Sequence, residues 1–162
     1  MDIIYTTILE NAFWSGVAAL GFGILFNIPK RVIPTVFILG FMAGLIKFYC
    51  LQNHCSIVTA TFFASLLVGI VSIPFAKSVR KPIVVFSIPA IIPMIPGYFA
   101  YKTILGIRNF TFINTIDTDQ QNMLNHIFSN GFMTIFILFA ITVGVSAPML
   151  LLGRDMTKKL PD

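Results

Sequence analysis

The sequence has 162 residues, of which 57% are hydrophobic and only 10% are charged, and its mean hydropathy is +0.90. These values exclude an ordinary water-soluble domain. The net charge of +5 does not indicate nucleic-acid binding, because the cations stand singly or in small groups beside apolar segments and form no basic patch with interleaved aromatic side chains. The composition is that of an integral membrane protein in the lipid bilayer.

Five apolar segments approach or exceed the roughly 20 residues that a helix needs to cross the hydrocarbon core of a bilayer. In chain order, the predicted spans are 8–27, 32–49, 57–76, 83–101 and 131–152. The stretch 102–130 is predicted to be the long loop, although the apolar residues in its second half recur at helical spacing and are compatible with an interfacial helix. The sequence therefore predicts an all-α fold, with residues 1–162 forming a single transmembrane domain of about five helices.

The positions of the cations predict the orientation of the chain. Eight cations share one side of the predicted topology: Lys30, Arg31, Lys77, Arg80, Lys81, Arg154, Lys158 and Lys159. Only Lys47, Lys102 and Arg108 lie on or near the other side. Cytoplasmic loops carry an excess of Lys and Arg, so the chain is predicted to run from outside to inside across the cell membrane, with 102–130 as an external loop. Tyrosines mark the predicted external span ends, in agreement with the cations: Tyr5, Tyr49, Tyr98 and Tyr101.

Small residues recur at spacings of three, four and seven along four of the predicted spans. Lipid gives helices little hydrophobic reason to associate, so close packing in a membrane depends on such residues. The predicted helix-packing positions are Gly16, Gly23, Gly40, Gly44, Ser65, Gly69 and Gly144. These positions predict contacts between helices and do not by themselves indicate a binding site.

The fourth span carries the densest unusual pattern, three prolines and a glycine within nine residues: Pro89, Pro93, Pro96 and Gly97. Proline lacks an N–H group and its ring crowds the carbonyl four residues earlier. The carbonyls that would lose a helical partner are those of Val85, Pro89 and Ile92. Unpaired backbone at membrane depth is tolerated only when it is buried in protein or lines a water-filled cavity. The pattern predicts a broken span that contributes to a substrate or ion path, and a purely structural kink is the alternative.

Three polar residues near span ends are further candidates for the same path. Lys47 in the second span either reaches the lipid headgroups or meets an anionic group of a substrate. Glu10 is a carboxylate close to the external boundary, where it is either solvated or able to carry a proton. Asn27 ends the first span, where it is predicted either to cap the helix or to line the path.

The enzyme classes are not supported by any motif in the sequence. No zinc-protease, nucleophile-elbow or phosphate-binding loop motif is present, so no catalytic residue and no cofactor is predicted. Cys50, His54 and Cys55 cluster at the loop after the second span, where they could bind a metal or form a strained disulfide. They lack a fourth ligand, so no metal site is predicted.

Three segments resemble the small five-span half of the threonine/serine exporter family. They are, in order, GFGILFNIP at 21–29, TFFASLLVG at 61–69 and PAIIPMIPG at 89–97. The resemblance covers nearly the whole chain, and the proline-rich segment is its most specific element. In that family this half is either fused behind another five-span half or forms a small subunit beside a larger one. Members export threonine and serine or, in the split enterobacterial version, succinate.

The resemblance implies a subunit of a secondary-active exporter of a small carboxylate substrate, working with a larger membrane subunit of the same family. A half with an odd number of spans suits this role, because a second such half would follow it in inverted orientation. Two other function classes remain open at this stage. One is a membrane scaffold or assembly protein that does not transport, and the other is a homo-oligomeric channel.

Overall fold

The computed structural model describes residues 2–112 and 117–152, which form helices joined by short turns and include no strand. The helices are α1 (Asp2–Leu25), α2 (Ile33–Gln52), α3 (Ile57–Val79), α4 (Val84–Ile91), α5 (Gly97–Phe112) and α6 (Asp117–Leu152), and a 3-10 turn (Ile92–Met94) follows α4. The all-α prediction is confirmed for these residues. Within residues 2–112 and 117–152, four helical segments are long and apolar enough to cross a membrane, or five if Val84–Met94 and Gly97–Phe112 are counted as one interrupted span.

The stretch 102–130, predicted to be a loop, is helical wherever the structure describes it. Its first part continues α5 to Phe112, and its last part belongs to α6, which begins at Asp117. The 36 residues of α6 extend about 54 Å at 1.5 Å per residue, well beyond the roughly 30 Å of hydrocarbon. The first turns of α6 carry polar residues, and composition alone does not distinguish a polar helix end from a loop. The sequence therefore did not predict that this helix begins as early as Asp117.

The chain divides into two compact units. The first unit consists of Met1–Met94 and Ala140–Asp162, and the second consists of Ile95–Phe139. Both units are helical in the described ranges. The single transmembrane domain stays a prediction.

In the first unit, α1 and α2 form an antiparallel pair with glycines at their contact. A Cβ added to Gly40 would lie 2.5 Å from the Cβ of Ala19, and one added to Gly44 would lie 2.9 Å from the Cα of Ala12. Gly16 contributes to the same contact from α1, opposite Phe37. Because later positions in α2 meet earlier positions in α1, the two helices run in opposite directions. The contact excludes larger side chains, since the backbones approach closely.

The final part of α6 packs against α3, also within the first unit. A Cβ on Gly144 would collide with the hydroxyl of Ser65, and one on Gly69 would lie 2.9 Å from the carbonyl oxygen of Val145 and 3.1 Å from the ring of Pro148. Later positions in α3 meet later positions in α6, so these two helices run in the same direction. If both cross a membrane, the chain between them crosses it an odd number of times.

Three helices end in the same hydrogen-bonded turn, with a residue other than glycine in the left-handed conformation. These residues are Asn27 (φ 51°), His54 (φ 59°) and Arg80 (φ 53°). After α1, the N–H of Asn27 donates to Ile24 (2.9 Å) and that of Ile28 to Gly23 (3.2 Å). This pair of bonds defines a Schellman motif, which satisfies carbonyls that the helix end leaves free. The turn reverses the chain within a few residues and therefore fixes short connections between neighbouring helices.

The second unit is a helical hairpin in its described part. A Cβ on Gly106 of α5 would lie 2.6 Å from the side chain of Ile127 on α6, and one on Gly131 would lie 3.6 Å from Thr103. Later positions in α5 thus face earlier positions in α6, as in an antiparallel pair. No residue of α5 is buried.

Candidate functional site

The proline-rich segment enters the centre of the first unit through α4. This helix contacts α1, α2 and α3. Phe86 and Pro89 are fully buried, and Ala90 and Met94 are nearly so. The segment therefore meets one of the two conditions under which irregular backbone is tolerated at membrane depth, which is burial in protein.

The α-helical structure continues through Pro89, the first proline of the segment that was predicted to break the span. The helix ends at Ile91, and the N–H of Ile92 still donates to the carbonyl of Ile88. Pro93 lies in the 3-10 turn that follows. A single proline removes one hydrogen bond and leaves the preceding turn intact, whereas Pro93 and Pro96 together prevent α4 from continuing.

The backbone chemistry of the segment follows from these positions. Pro89 and Pro93 have no N–H groups, so the carbonyls of Val85 and Pro89 receive no bond from the residue four positions later. The carbonyl of Ile92 is in the same situation because of Pro96. Val85, Pro89 and Ile92 belong to the first unit, where these acceptors could serve a ligand.

Gly97, a residue of the predicted substrate path, lies in open space. It is exposed, and a Cβ added to it would meet no atom within 4 Å. No described glycine has a positive φ. Gly97 begins α5, and its N–H donates to the carbonyl of Ile95 at 2.8 Å. Pro96 is buried, and its carbonyl accepts from Ala100 at 3.1 Å. Both residues therefore shape the start of α5 in the second unit.

Glu10 lies on α1 and Lys47 lies on α2. Because the two helices are antiparallel, these residues lie at a similar height along the helix pair. Lys47 is partly buried, and Glu10 is exposed. Within the described ranges, no carboxylate forms an ion pair with Lys47. A partly buried cation without a protein counter-ion leaves a position for an anionic group from elsewhere.

Asn27 terminates α1, and this structural role explains its position. It is exposed and adopts the left-handed conformation at the end of α1. Asparagine tolerates this conformation better than most residues, because its short side chain can hydrogen-bond locally. The predicted capping role thus matches the observed geometry, and a role of Asn27 in a substrate path stays a prediction.

Ser87 and Ser72 are buried polar residues of the first unit. Ser87 lies on α4 and donates to the carbonyl of Ile83 at 3.3 Å. Ser72 lies on α3 with no exposed surface, and it is the buried side chain in the described part of the chain whose polar atom has no hydrogen-bond partner. Buried hydroxyls are normally satisfied, so Ser72 can receive a water or ligand oxygen. Ser72 continues the spacing of the predicted packing positions Ser65 and Gly69 along α3, whereas nothing in the sequence singled out Ser87.

A cavity of about 320 Å³ lies between the start of α1 and the end of α2. Its lining is apolar and consists of Tyr5, Ile8, Leu9, Leu45, Ile46 and Tyr49. None of the predicted path residues lines it. The cavity brings Tyr5 and Tyr49 to one end of the helix pair, as expected if both mark the same membrane boundary.

The three residues considered for metal binding do not form a metal site. In residues 2–112 and 117–152, no group of three or more His, Cys, Asp or Glu side chains is arranged to hold a metal ion. Cys50 and Cys55 are free thiols at the turn between α2 and α3. His54 lies in this turn and adopts the left-handed backbone conformation.

The apolar helices and their glycine-based contacts define a multi-pass membrane protein. Residues 11–151 match the family described as "Threonine/Serine exporter, ThrE", and the chain belongs to this family. The resemblance seen in three sequence segments is thereby confirmed.

A similar protein is an uncharacterized protein of Haemophilus influenzae (strain ATCC 51907 / DSM 11121 / KW20 / Rd). It is 29% identical over 155 residues, and the alignment covers 96% of this chain and 51% of that protein. The chain thus spans about half the length of this relative. No solved structure matches the chain.

Proposed function

We propose that this chain is one half of a secondary-active exporter of small carboxylated metabolites in the cytoplasmic membrane. The substrate class is threonine and serine or a dicarboxylate such as succinate. The observation that carries the proposal is the match of residues 11–151 to the threonine/serine exporter family. The half-length alignment with the Haemophilus influenzae relative supports the division of the transport unit into two halves.

The parallel arrangement of α3 and α6 supports a five-span half. Two parallel spans require an odd number of crossings between them, and Val84–Phe112 has the apolar length for one crossing. An odd number of spans places a following half in inverted orientation, the arrangement from which many alternating-access carriers are built. The partner is therefore a larger membrane subunit of the same family, which contributes the other wall of the transport path.

The substrate path of this half includes the acceptors of α4 and the cation of α2. The carbonyls of Val85 and Pro89 receive no hydrogen bond from the residue four positions later, because that residue is a proline. Ser72 offers a buried hydroxyl on α3. Lys47 supplies a positive charge without a protein counter-ion in the described ranges. A substrate with a carboxylate and an ammonium or hydroxyl group needs both kinds of partner. Glu10 is a carboxylate on α1, and we assign to it the transfer of a coupled proton.

Efflux from cells and from proteoliposomes tests this function. The chain is produced alone, with the larger family subunit, or not at all, and the release of preloaded threonine, serine and succinate is followed with and without an uncoupler. We expect the two subunits to purify together, and we expect uncoupler-sensitive efflux only when both are present.

Each other outcome supports a different function. Efflux by the purified chain alone would support a homo-oligomer, and efflux that only equilibrates the substrate and ignores the uncoupler would indicate a channel. A stable complex that releases none of the three compounds would indicate a scaffold and would overturn the exporter assignment.

A further inference from the structure

Two cysteines meet at the turn between α2 and α3. The N–H of His54 donates to the carbonyl of Leu51 at 3.1 Å, and the N–H of Cys55 donates to the carbonyl of Cys50 at 3.1 Å. With His54 in the left-handed conformation, these bonds define a Schellman motif. Cys50 and Cys55 occupy the two positions of the motif whose side chains face each other.

The same motif at the end of α1 shows this facing arrangement independently. There, Gly23 and Ile28 occupy the positions that Cys50 and Cys55 occupy after α2. The Cδ1 atom of Ile28 lies 2.8 Å from the point where a Cβ on Gly23 would stand. At the end of α2, both positions of the motif carry free thiols.

The thiols are also accessible, and they lie where the sequence predicts the external side. Cys55 is exposed and Cys50 is partly exposed. The compartments outside the cytoplasmic membrane are oxidising, whereas cytosolic thiols are kept reduced. The cation count predicts that the connection between α2 and α3 is external.

We propose that Cys50 and Cys55 form a reversible intrachain disulfide in the external compartment. The thiolate of the exposed Cys55 attacks a disulfide of a thiol–disulfide oxidoreductase and displaces one of its sulfurs as a thiolate. The Cys50 thiolate then attacks the Cys55 sulfur and displaces the second thiolate. This chain loses two electrons and two protons, and the oxidoreductase disulfide is reduced to a dithiol.

The disulfide would secure a strained helix end. The left-handed conformation is unfavourable for residues that carry a Cβ, and His54 holds it through backbone bonds alone. A covalent link from Cys50 to Cys55 spans the same residues as the bond between the N–H of Cys55 and the carbonyl of Cys50. Opening of the turn then requires reduction, so the redox state controls how α2 is joined to α3.

Thiol trapping in intact cells tests the proposal. Cells that produce the full chain are quenched with acid, and free thiols are labelled with a maleimide that adds mass on a gel, before or after reduction. We expect no label before reduction and two labels per chain afterwards, on the two cysteines of the sequence. Cys50→Ser and Cys55→Ser should each leave one thiol that reacts without reduction.

The turn after α3 provides a matched control. Ala76 and Lys81 occupy the same two positions, with the N–H of Lys81 donating to Ala76 at 3.1 Å and Arg80 in the left-handed conformation. Ala76→Cys with Lys81→Cys, in a chain that carries Cys50→Ser and Cys55→Ser, places a thiol pair at the predicted cytoplasmic side. We expect this pair to stay reduced in cells and to close when isolated membranes receive an oxidant.

Two results would overturn the proposal. If Cys50 and Cys55 are both labelled in quenched cells without reduction, the disulfide does not form in the cell. If the oxidised chain runs as a dimer that Cys55→Ser abolishes, the bond joins two chains and does not close the turn. Efflux is not part of this assay, so its outcome is independent of the proposed transport function.

Discussion

The contact between Gly144 and Ser65 links α6 to α3 within the first unit. The Ser65 hydroxyl donates to the carbonyl of Phe62 at 2.9 Å on its own helix, and the carbonyl of Ala140 on α6 lies 3.3 Å from it. A side chain at Gly144 would displace this hydroxyl and would also approach the backbone of α3, since the Phe62 oxygen lies 3.0 Å from the added Cβ. The position therefore tests how strongly the bundle depends on close packing.

We expect Gly144→Ala to destabilise the protein, because the added methyl group overlaps α3. Overpacking of this kind typically costs about 1–3 kcal/mol, which should lower the midpoint of thermal unfolding in detergent. Ser65→Ala in the same chain should recover only part of the loss, since the backbone contacts remain. Gly21→Ala is the control, because a Cβ there meets no atom within 4 Å. Equal midpoints for the two glycine variants would contradict the observed contact.

Lys47 is the residue that we expect to set affinity for the substrate carboxylate. Lys47→Met keeps the length of the side chain and removes the charge. A hydrogen bond to a charged group contributes about 1.5–3 kcal/mol, so the half-saturating substrate concentration for efflux should rise by about tenfold or more. Lys47→Arg should retain most of the affinity.

The control for Lys47 is a cation that is exposed and already engaged elsewhere. Lys102 is exposed and lies 5.6 Å from the ring centre of Tyr98, and Lys102→Met should leave the concentration dependence unchanged. If Lys47→Met also leaves it unchanged while the protein assembles normally, Lys47 reaches the lipid headgroups and does not bind substrate.

In α4, the positions of the prolines determine where the helix ends. Pro89 lies inside the helix, and Pro93 lies in the 3-10 turn that ends it. An isolated proline is accommodated in a membrane helix when it is buried in protein, and Pro89 is fully buried in a helix that contacts α1, α2 and α3. The sequence predicted a loss of helical bonding from Val85 onward, whereas α4 extends to Ile91 with Pro89 inside it, because the tolerance of Pro89 depends on neighbours in the fold.

Pro93→Ala should reduce transport without preventing assembly. Alanine restores an N–H that can donate to the carbonyl of Pro89, which extends α4 and removes one acceptor from the proposed path. A typical hydrogen bond contributes about 0.5–1.5 kcal/mol, so we expect efflux to fall about fivefold at an unchanged amount of complex. Efflux and purified complex are measured on the same cells.

Pro74→Ala is the matched control for this variant. Pro74 also lies inside a membrane-length helix, α3, but its side chain is exposed. This change should leave efflux close to that of the unaltered chain. If Pro93→Ala transports normally, the proline-rich segment is a structural kink and not part of the path. If its efflux falls only in proportion to the amount of complex, the same conclusion follows.

For the whole molecule, the predicted orientation can be tested by labelling single cysteines in intact cells. Ser78→Cys, in a chain that carries Cys50→Ser and Cys55→Ser, should react with an impermeant maleimide only after the cells are opened. The native Cys55 should react in closed cells once an impermeant reductant has been added. The reason is the excess of Lys and Arg at the connections that follow α1 and α3. The reverse pattern of labelling would invert the topology.

Much of the architecture was predictable because it depends on local properties of the chain. Apolar length located the helices α1, α2 and α3, and small residues at helical spacing located the contacts that Gly40 and Gly44 make with α1. Asn27 was recognisable as a helix end. His54 and Arg80 were not, because neither residue type favours the left-handed conformation strongly enough to be recognised without its hydrogen bonds.

The candidate site was predictable only in part. The prolines identified the backbone acceptors, and Lys47 stood out as a cation inside an apolar segment. The hydroxyl of Ser72 is a candidate ligand group because it is buried without a hydrogen-bond partner, whereas buried hydroxyls are normally satisfied. An identical serine facing lipid or solvent would not be a candidate. Gly97 was predicted to belong to the path because it follows the prolines; open space surrounds it in the structure, and its role in the path stays a prediction.

By itself, the sequence determined that this is a membrane protein, how many apolar segments it has and which helix faces carry small residues. Length, hydropathy and periodicity are properties of neighbouring residues and require no knowledge of the partners. Only the tertiary structure decided that α3 and α6 are neighbours and meet at Ser65 and Ala140, which are 75 positions apart. Because lipid tails are as apolar as the helices themselves, partners in a membrane are selected by the fit of opposing surfaces. That fit exists only once the helices are placed together.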